Sequence, residues 1–253
     1  MRLTETYQLG NVEYFKKQVC AWASQFKKVA VLLGNTDSSQ GKYLDYDMLV
    51  GIGALSEIIP TNQSFNTLED YQQQLQDWLL GYLSYDLKNE IEDLSSENTD
   101  RLQFPNMHFF QPKWVITVKN NTVQIHFPDS FDSKEIHQLF SKIMQYQAHR
   151  WNNHVPKVQG RLSKEEYIKA VEKLQVHIQR GDIYEVNFCQ EYFAEEAKLN
   201  PIATFNDLYD ISEPPFACYY RYEDYHLISA SPERFLKKEG QKLISQPIKG
   251  TRK

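Results

Sequence analysis

Apolar residues recur along the chain with two different periods, and the places where the period changes mark out the elements. Val12, Phe15, Val19, Trp22 and Phe26 fall three to four apart behind Asn11, the spacing of a helix whose start the asparagine caps. Residues 4–9 ahead of it predict a first strand, and residues 28–33 a buried one. A long polar turn over 34–41 leads to a further strand near 46–52. Leu68, Tyr71, Leu75, Trp78 and Leu79 make one helical face, with Thr67 and Asp70 as its capping box. Residues 81–86 predict a strand, and the acidic, Ser/Asn-rich stretch 91–101 a surface loop. Two alternating runs, 114–119 and 122–127, flank Asn120-Asn121, residues that tolerate the left-handed region, and so predict a hairpin. A helix follows over 133–145, with Ile136, Leu139, Phe140 and Ile143 on one face.

Residues 146–160 lose all periodicity and gain His, Asn and Pro, which marks a linker and divides the chain into regions 1–150 and 151–253. Beyond it, Ser163 and Glu166 form a capping box, Ile168, Val171, Leu174 and Ile178 make a stripe expected to be buried, and Gly181 stops the helix. Strict alternation over 184–193 predicts a long strand with one apolar and one mainly polar face. Asn200-Pro201 opens a short helix that ends near Pro214-Pro215. Hairpins are then predicted around Glu223-Asp224 and Glu239-Gly240.

Composition narrows the class. Of 253 residues, 41% are hydrophobic and 24% charged, which is globular rather than disordered. A net charge of −5, with no basic patch among the aromatics, argues against nucleic acid or an anionic membrane as main partner. The longest aliphatic run, Val29 to Leu33, is too short to span a bilayer. The three cysteines, Cys20, Cys189 and Cys218, lack metal-site spacing and sit in apolar surroundings, as reduced core residues of a cytoplasmic protein would.

The stretch richest in chemistry is Pro247-Ile248-Lys249-Gly250-Thr251-Arg252. Pro247 ends sheet pairing, and Gly250 lets a ligand approach the backbone closely. The backbone N–H groups, the Thr251 hydroxyl and the Arg252 fork suit a carboxylate. An amine beside Arg252 has its charged form disfavoured, which would leave Lys249 nucleophilic near neutral pH. The plainer reading of these residues is a basic surface turn.

Four stretches stand in order: residues 81–92, residues 181–187 (GDIYEVN), Ser231-Pro232-Glu233-Arg234-Phe235, and residues 247–252. Together they closely resemble the chorismate-utilising enzymes, specifically component I of aminodeoxychorismate synthase. The resemblance covers nearly the whole chain and is strongest over 163–252. It implies an α/β (α+β) fold of two packed, largely antiparallel sheets with outer helices, as in anthranilate synthase component I. It also implies conversion of chorismate and ammonia to 4-amino-4-deoxychorismate, with Mg²⁺ as cofactor and a glutamine amidotransferase subunit as partner. Lys249 matches the family's proposed covalent nucleophile and Glu233 its acid/base carboxylate. Gly250, Thr251, Arg252 and Glu185 fall at substrate-binding positions.

Two positions discriminate within the superfamily. Anthranilate synthase component I, the alternative, usually carries Ala where Lys249 stands. Isochorismate and salicylate synthases carry a water-activating Lys where this chain has Glu185, and relatives on the amination side mostly have Gln there. The family also holds a tryptophan-shaped pocket, whose wall matches Pro215, Phe216 and Ala217, with Asn35 and Tyr43 nearby; a plain apolar turn fits these residues as well. No metal-ligand cluster is present, and the segment that supplies the family's Mg²⁺ ligands would lie beyond Lys253. The second half is therefore expected to be incomplete, with apolar faces such as Val186, Phe188, Ile228 and Leu243 exposed. A catalytically silent fragment that keeps a scaffold or docking surface is the reading from another class.

Overall fold

The structure, a computed structural model, describes residues 1–35, 43–147 and 155–248. The elements run β1 (Arg2–Gln8), α1 (Val12–Ala23), β2 (Lys28–Gly34), β3 (Met48–Ile58), α2 (Ser64–Leu75), β4 (Leu80–Leu83), a 3-10 helix (Tyr85–Glu90), β5 (Met107–Lys119), β6 (Thr122–Pro128) and α3 (Ser133–Gln145). They continue as β7 (Gln159–Gly160), α4 (Lys164–Arg180), β8 (Tyr192–Phe193), α5 (Pro201–Ser212), β9 (Phe216–Tyr222), β10 (Tyr225–Ser231), β11 (Lys237–Glu239) and β12 (Lys242–Ile244). The fold is α/β with antiparallel sheets. Eight strands form one sheet in the order β1-β6-β5-β3-β2-β9-β10, with β4 also on β5, and β7–β8 and β11–β12 form two separate ribbons.

One face of the large sheet carries the core. Val29, Val31, Val50, Ile52, Ile116, Val118, Val123 and Ile125 pack there against Phe15 and Val19 of α1, Ile136 and Ile143 of α3, and Phe205 of α5. Each such side chain, fully removed from water, contributes about 2–3 kcal/mol. On the opposite face Ala30, Phe110 and Tyr220 form a smaller cluster with Tyr82 and Tyr222. Local chemistry sets the ends of the elements. Asn11 accepts from the Tyr14 N–H at the start of α1, and Asp132 with Glu135 closes a capping box on α3. The β5–β6 turn runs through Asn120 at φ +51°, and the β9–β10 turn through Glu223 at φ +49°.

Two predicted details of the region 64–90 differ. The helix there ends at Leu75, before Trp78 and Leu79, and Thr67 with Asp70 does not cap it. Its start is held by Glu90, whose carboxylate accepts from the Ser64 backbone N–H at 2.7 Å and the Ser64 hydroxyl at 2.6 Å. The strand predicted over 81–86 spans Leu80–Leu83, because the chain turns into the 3-10 helix at Tyr85. Gly81 has no room for a side chain: an added Cβ would lie 2.1 Å from the His108 carbonyl oxygen.

The chain divides into two units, Met1–Arg150 together with Pro201–Lys253, and Trp151–Asn200. The division into 1–150 and 151–253 expected from the sequence differs from this. β9 pairs with β2 over seven residues, Lys28↔Tyr222 to Gly34↔Phe216, so α5 and everything hung on β9 belong with the first sheet. Ile228 accordingly packs against the large core instead of lying bare.

In the second unit, α4 has its predicted capping box at Ser163 and Glu166 and its stop at Gly181, φ +80°. Its apolar stripe is not buried, however: no residue of α4 is buried, and Ile168 is 44% and Ile178 39% exposed. The strand predicted over 184–193 shrinks to Tyr192–Phe193, paired with Gln159–Gly160. A two-faced strand needs neighbours on its edges and a layer against its apolar face, and the described residues of this unit supply neither beyond that ribbon. Val186 is exposed and Phe188 half-buried; in the first unit Leu243 of β12 is 63% exposed. Cys189, expected in a core, is exposed, whereas burial pushes the Cys20 and Cys218 thiols up to about 12.

Candidate functional site

Where β2, β9 and β10 end together, register brings Gly34 opposite Phe216, and Phe216 opposite Ser231. These strand ends floor a cavity of about 340 Å³, walled by Tyr43, Leu44 and Tyr46 on one side and by Arg234, Leu236 and Lys237 on the other. Gly34 gives the Leu44 side chain its place in the cavity wall: an added Cβ would stand 2.6 Å from it and oblige it to move. The two walls are tied to each other. Arg234 Nη1 donates to the Tyr43 carbonyl at 3.2 Å, and Lys237 Nζ to the same oxygen at 2.7 Å. Lys237 also meets Asp45 at 2.8 Å and Glu239 at 2.5 Å. Burial alone would pull the Lys237 amine down, but the two carboxylates outweigh it and hold the group above its ordinary value. The Arg234 guanidinium stands 5.0 Å from the Phe216 ring centre, and Lys242 5.7 Å from that of Tyr43. The result is a mainly apolar hollow whose rim carries the Arg234 guanidinium and the ion-paired Lys237 and Asp45.

Of the tryptophan-shaped pocket expected from Asn35, Tyr43, Pro215, Phe216 and Ala217, three members line this cavity: Tyr43, Phe216 and Ala217. Asn35 sits just outside, where its N–H donates to the Pro215 carbonyl at 3.3 Å and its amide to Glu213 at 3.2 Å. Asn35 faces instead a neighbouring polar hollow of about 640 Å³ with Asp47 and Glu213. Sequence reasoning missed Arg234, as a wall residue, and Lys237; the signal for the first was its place in the Ser231–Phe235 motif. Lys237 carried no signal beyond its charge, since only the fold sets it against Asp45.

Glu233 leaves this cavity's rim on a short turn. Ser231 Oγ donates to the Glu233 carbonyl at 2.8 Å and accepts from the Glu233 N–H at 3.3 Å, which fixes the backbone while the Glu233 side chain is exposed. The burial anticipated for an acid/base carboxylate is therefore not provided by the described residues. Glu185 is likewise exposed, on the irregular stretch of the other unit. Lys249, Gly250, Thr251 and Arg252 lie outside the described residues. Among the described residues no group of three or more His, Cys, Asp or Glu side chains could hold a metal ion, so these residues do not build a Mg²⁺ site. No helix among them is long and apolar enough to cross a membrane.

The profile of one family, described as chorismate binding enzyme, matches residues 21–253. The chain belongs to the chorismate binding enzyme family. It is 29% identical over 208 residues to the anthranilate synthase component I-like protein of Synechocystis sp., an alignment covering 78% of this chain and 42% of that protein. To aminodeoxychorismate synthase component 1 of Bacillus subtilis it is 26% identical over 200 residues, covering 68% of this chain and 39% of the relative. The crystal structure of anthranilate synthase component I from Streptococcus pneumoniae TIGR4 superposes with a TM-score of 0.67 at 16% identity, over 76% of this chain and 51% of that one. That likeness concerns the fold. The chain thus spans about two-fifths of the length of the two curated relatives.

Proposed function

We propose that this member of the chorismate binding family belongs to aminodeoxychorismate synthase component I, and aminates chorismate at C4. The observation that carries the reading is Lys249 in the Pro-Ile-Lys-Gly-Thr-Arg stretch. In this reading the Lys249 amine adds to C2 of chorismate, both ring double bonds shift by one position toward C4, and the C4 hydroxyl departs as water after taking a proton from Glu233. Ammonia delivered by a glutamine amidotransferase subunit then adds at C4. Both double bonds return to their first positions, the Lys249 amine leaves C2, and the new C4 ammonium gives up a proton. Gly250, Thr251, Arg252 and Glu185 hold the substrate, and Mg²⁺ is an expected cofactor whose ligands lie outside the described residues. The cavity beneath Arg234 suits an aromatic amino acid such as tryptophan, with its ring on Phe216 and its carboxylate toward the Arg234 guanidinium.

The test is product identity. Supplied with chorismate, Mg²⁺ and ammonium, the enzyme is expected to yield 4-amino-4-deoxychorismate, and Lys249→Ala to lose that product while still binding chorismate. Anthranilate as the sole product would transfer the chain to the runner-up, anthranilate synthase component I. The exposure of Glu233 and Glu185 favours a second reading, a catalytically silent chain that serves as scaffold or docking surface. Calorimetric titration with chorismate and Mg²⁺ separates the two, since tight Mg²⁺-dependent binding would eliminate the silent reading.

A further inference from the structure

On the sheet face opposite the large core, His108 of β5 is fully buried, and both of its ring nitrogens are engaged. Nε2 lies 3.0 Å from the Glu57 carboxylate on β3, and Nδ1 lies 2.5 Å from the Tyr220 hydroxyl on β9. A carboxylate only accepts, so Nε2 carries the proton and donates. Nδ1 is then an acceptor for the Tyr220 O–H. The chain of contacts continues outward: Glu57 meets Lys28 of β2 at 3.4 Å, Lys28 pairs with Glu223 in the β9–β10 turn, and Glu223 meets Lys27 at 2.7 Å. Four strands are thereby joined by side chains across their hydrogen-bond ladder. The tyrosines Tyr82 and Tyr222 close over the imidazole, with ring centres at 6.4 and 4.3 Å.

We propose that the Tyr220–His108–Glu57–Lys28 chain is a pH-sensitive latch that clamps the β9–β10 hairpin to the sheet, and that protonation of His108 releases it. A second proton would turn Nδ1 into a donor. Tyr220 could keep the contact only by accepting, which leaves its own hydrogen without a partner, because among the described residues its hydroxyl meets only His108. The new charge would also be buried near Lys28. The groups facing His108 are Glu57, Lys28, Glu223, Tyr82, Tyr220 and Tyr222. Burial holds its imidazole below the ordinary 6.5, against the pull of Glu57. A depressed histidine means that the folded chain binds fewer protons. The latch is therefore complete above 6.5 and weakens as pH falls through the lower folded value. What it holds is functional ground: the hairpin carries Phe216 and Ala217, the floor of the cavity, and Ser231, which fixes the Glu233 turn.

Two measurements test the latch, neither depending on what the enzyme makes. Long-range ¹⁵N NMR of histidine-labelled protein should find His108 neutral with its proton on Nε2 at about pH 7.5; an Nδ1–H tautomer would overturn the proposal. Hydrogen-exchange mass spectrometry, scaled for intrinsic rate, should show β9–β10 losing about tenfold more protection than α1 between about pH 7.5 and about pH 5. His226 lies in the same hairpin, 3.1 Å from the Tyr219 hydroxyl, so Tyr220→Phe is the discriminating variant. It should show the loosened hairpin already at the higher pH and little further change on acidification. If Tyr220→Phe keeps the wild-type pH response, His226 is the titrating group and the latch assignment is wrong.

Discussion

Arg2 and Asp77 meet at 2.7 Å where β4 and β6 part company along one edge of β5. β4 pairs with Met107–Phe110 and β6 with residues 115–119, so the backbone of residues 111–114 lacks a strand on that side. Arg2 takes the strand's place: its guanidinium donates to the carbonyls of Pro112, Lys113 and His126, while the Gln111 amide donates to Asp77 at 2.7 Å. Burial would raise the Asp77 carboxyl, but the bonds from Arg2 and Gln111 outweigh it and hold it below its ordinary 3.8. A depressed carboxylate stabilises the fold fully above 3.8, and that contribution is lost as pH falls through the lower folded value. Asp77→Asn is expected to cost about 2–3 kcal/mol near neutral pH, leaving Arg2 with backbone carbonyls but without the carboxylate that balances its charge. Urea unfolding of both proteins across acidic pH should show the difference shrinking below the carboxylate range; a gap independent of pH would refute this role. Neither residue stands out in the sequence, because their meeting depends on where two strands stop.

Helix α2 shows why local pattern can name an element and still miss what holds it. Its apolar spacing was readable, as were those of α1 and α3, the Asn200-Pro201 start of α5 and the turns at Asn120 and Glu223, since each signal lies within a few residues of its effect. The start of α2 carries no such signal. Gln63 precedes it in the left-handed region at φ +47° with no side-chain cap, and Thr67 Oγ1 donates back to the Gln63 carbonyl. The cap is Glu90, twenty-six positions away, with a negative charge at the positive end of the helix. Glu90→Ala should therefore cost about 1–2 kcal/mol, and the loss should appear as faster amide exchange in the first turn of α2 and in the 3-10 helix, with β5 unchanged. Unaltered exchange at Ser64 and its neighbours would mean that solvent caps the helix equally well.

The two units differ in how far their sequence patterns are realised. In the unit containing the large sheet, nearly every predicted strand and helix finds a partner layer, and the candidate cavity arises where three strands end against β11. In the 151–200 unit the pattern of α4 and of residues 184–193 is just as regular, yet α4 buries nothing among the described residues. Alternation specifies which face wants to be covered; it does not supply the cover. The same reasoning separates two kinds of isoleucine. Ile116 lies at 0% exposure between the helices and the sheet, so Ile116→Ala should cost about 3 kcal/mol. Ile168 and Ile178 are 44% and 39% exposed, so Ile168→Ala or Ile178→Ala should cost well below that, about 1 kcal/mol or less. Hydrogen exchange should agree, with α4 amides exchanging far faster than those of β5, because opening α4 exposes little apolar surface that is not already wet. Protection in α4 equal to that in β5, together with a cost near that of Ile116→Ala, would show that the α4 stripe is covered in solution, as by a second copy of the chain or a partner subunit. Sedimentation at the same protein concentration then distinguishes these, since only self-association raises the mass of the purified chain.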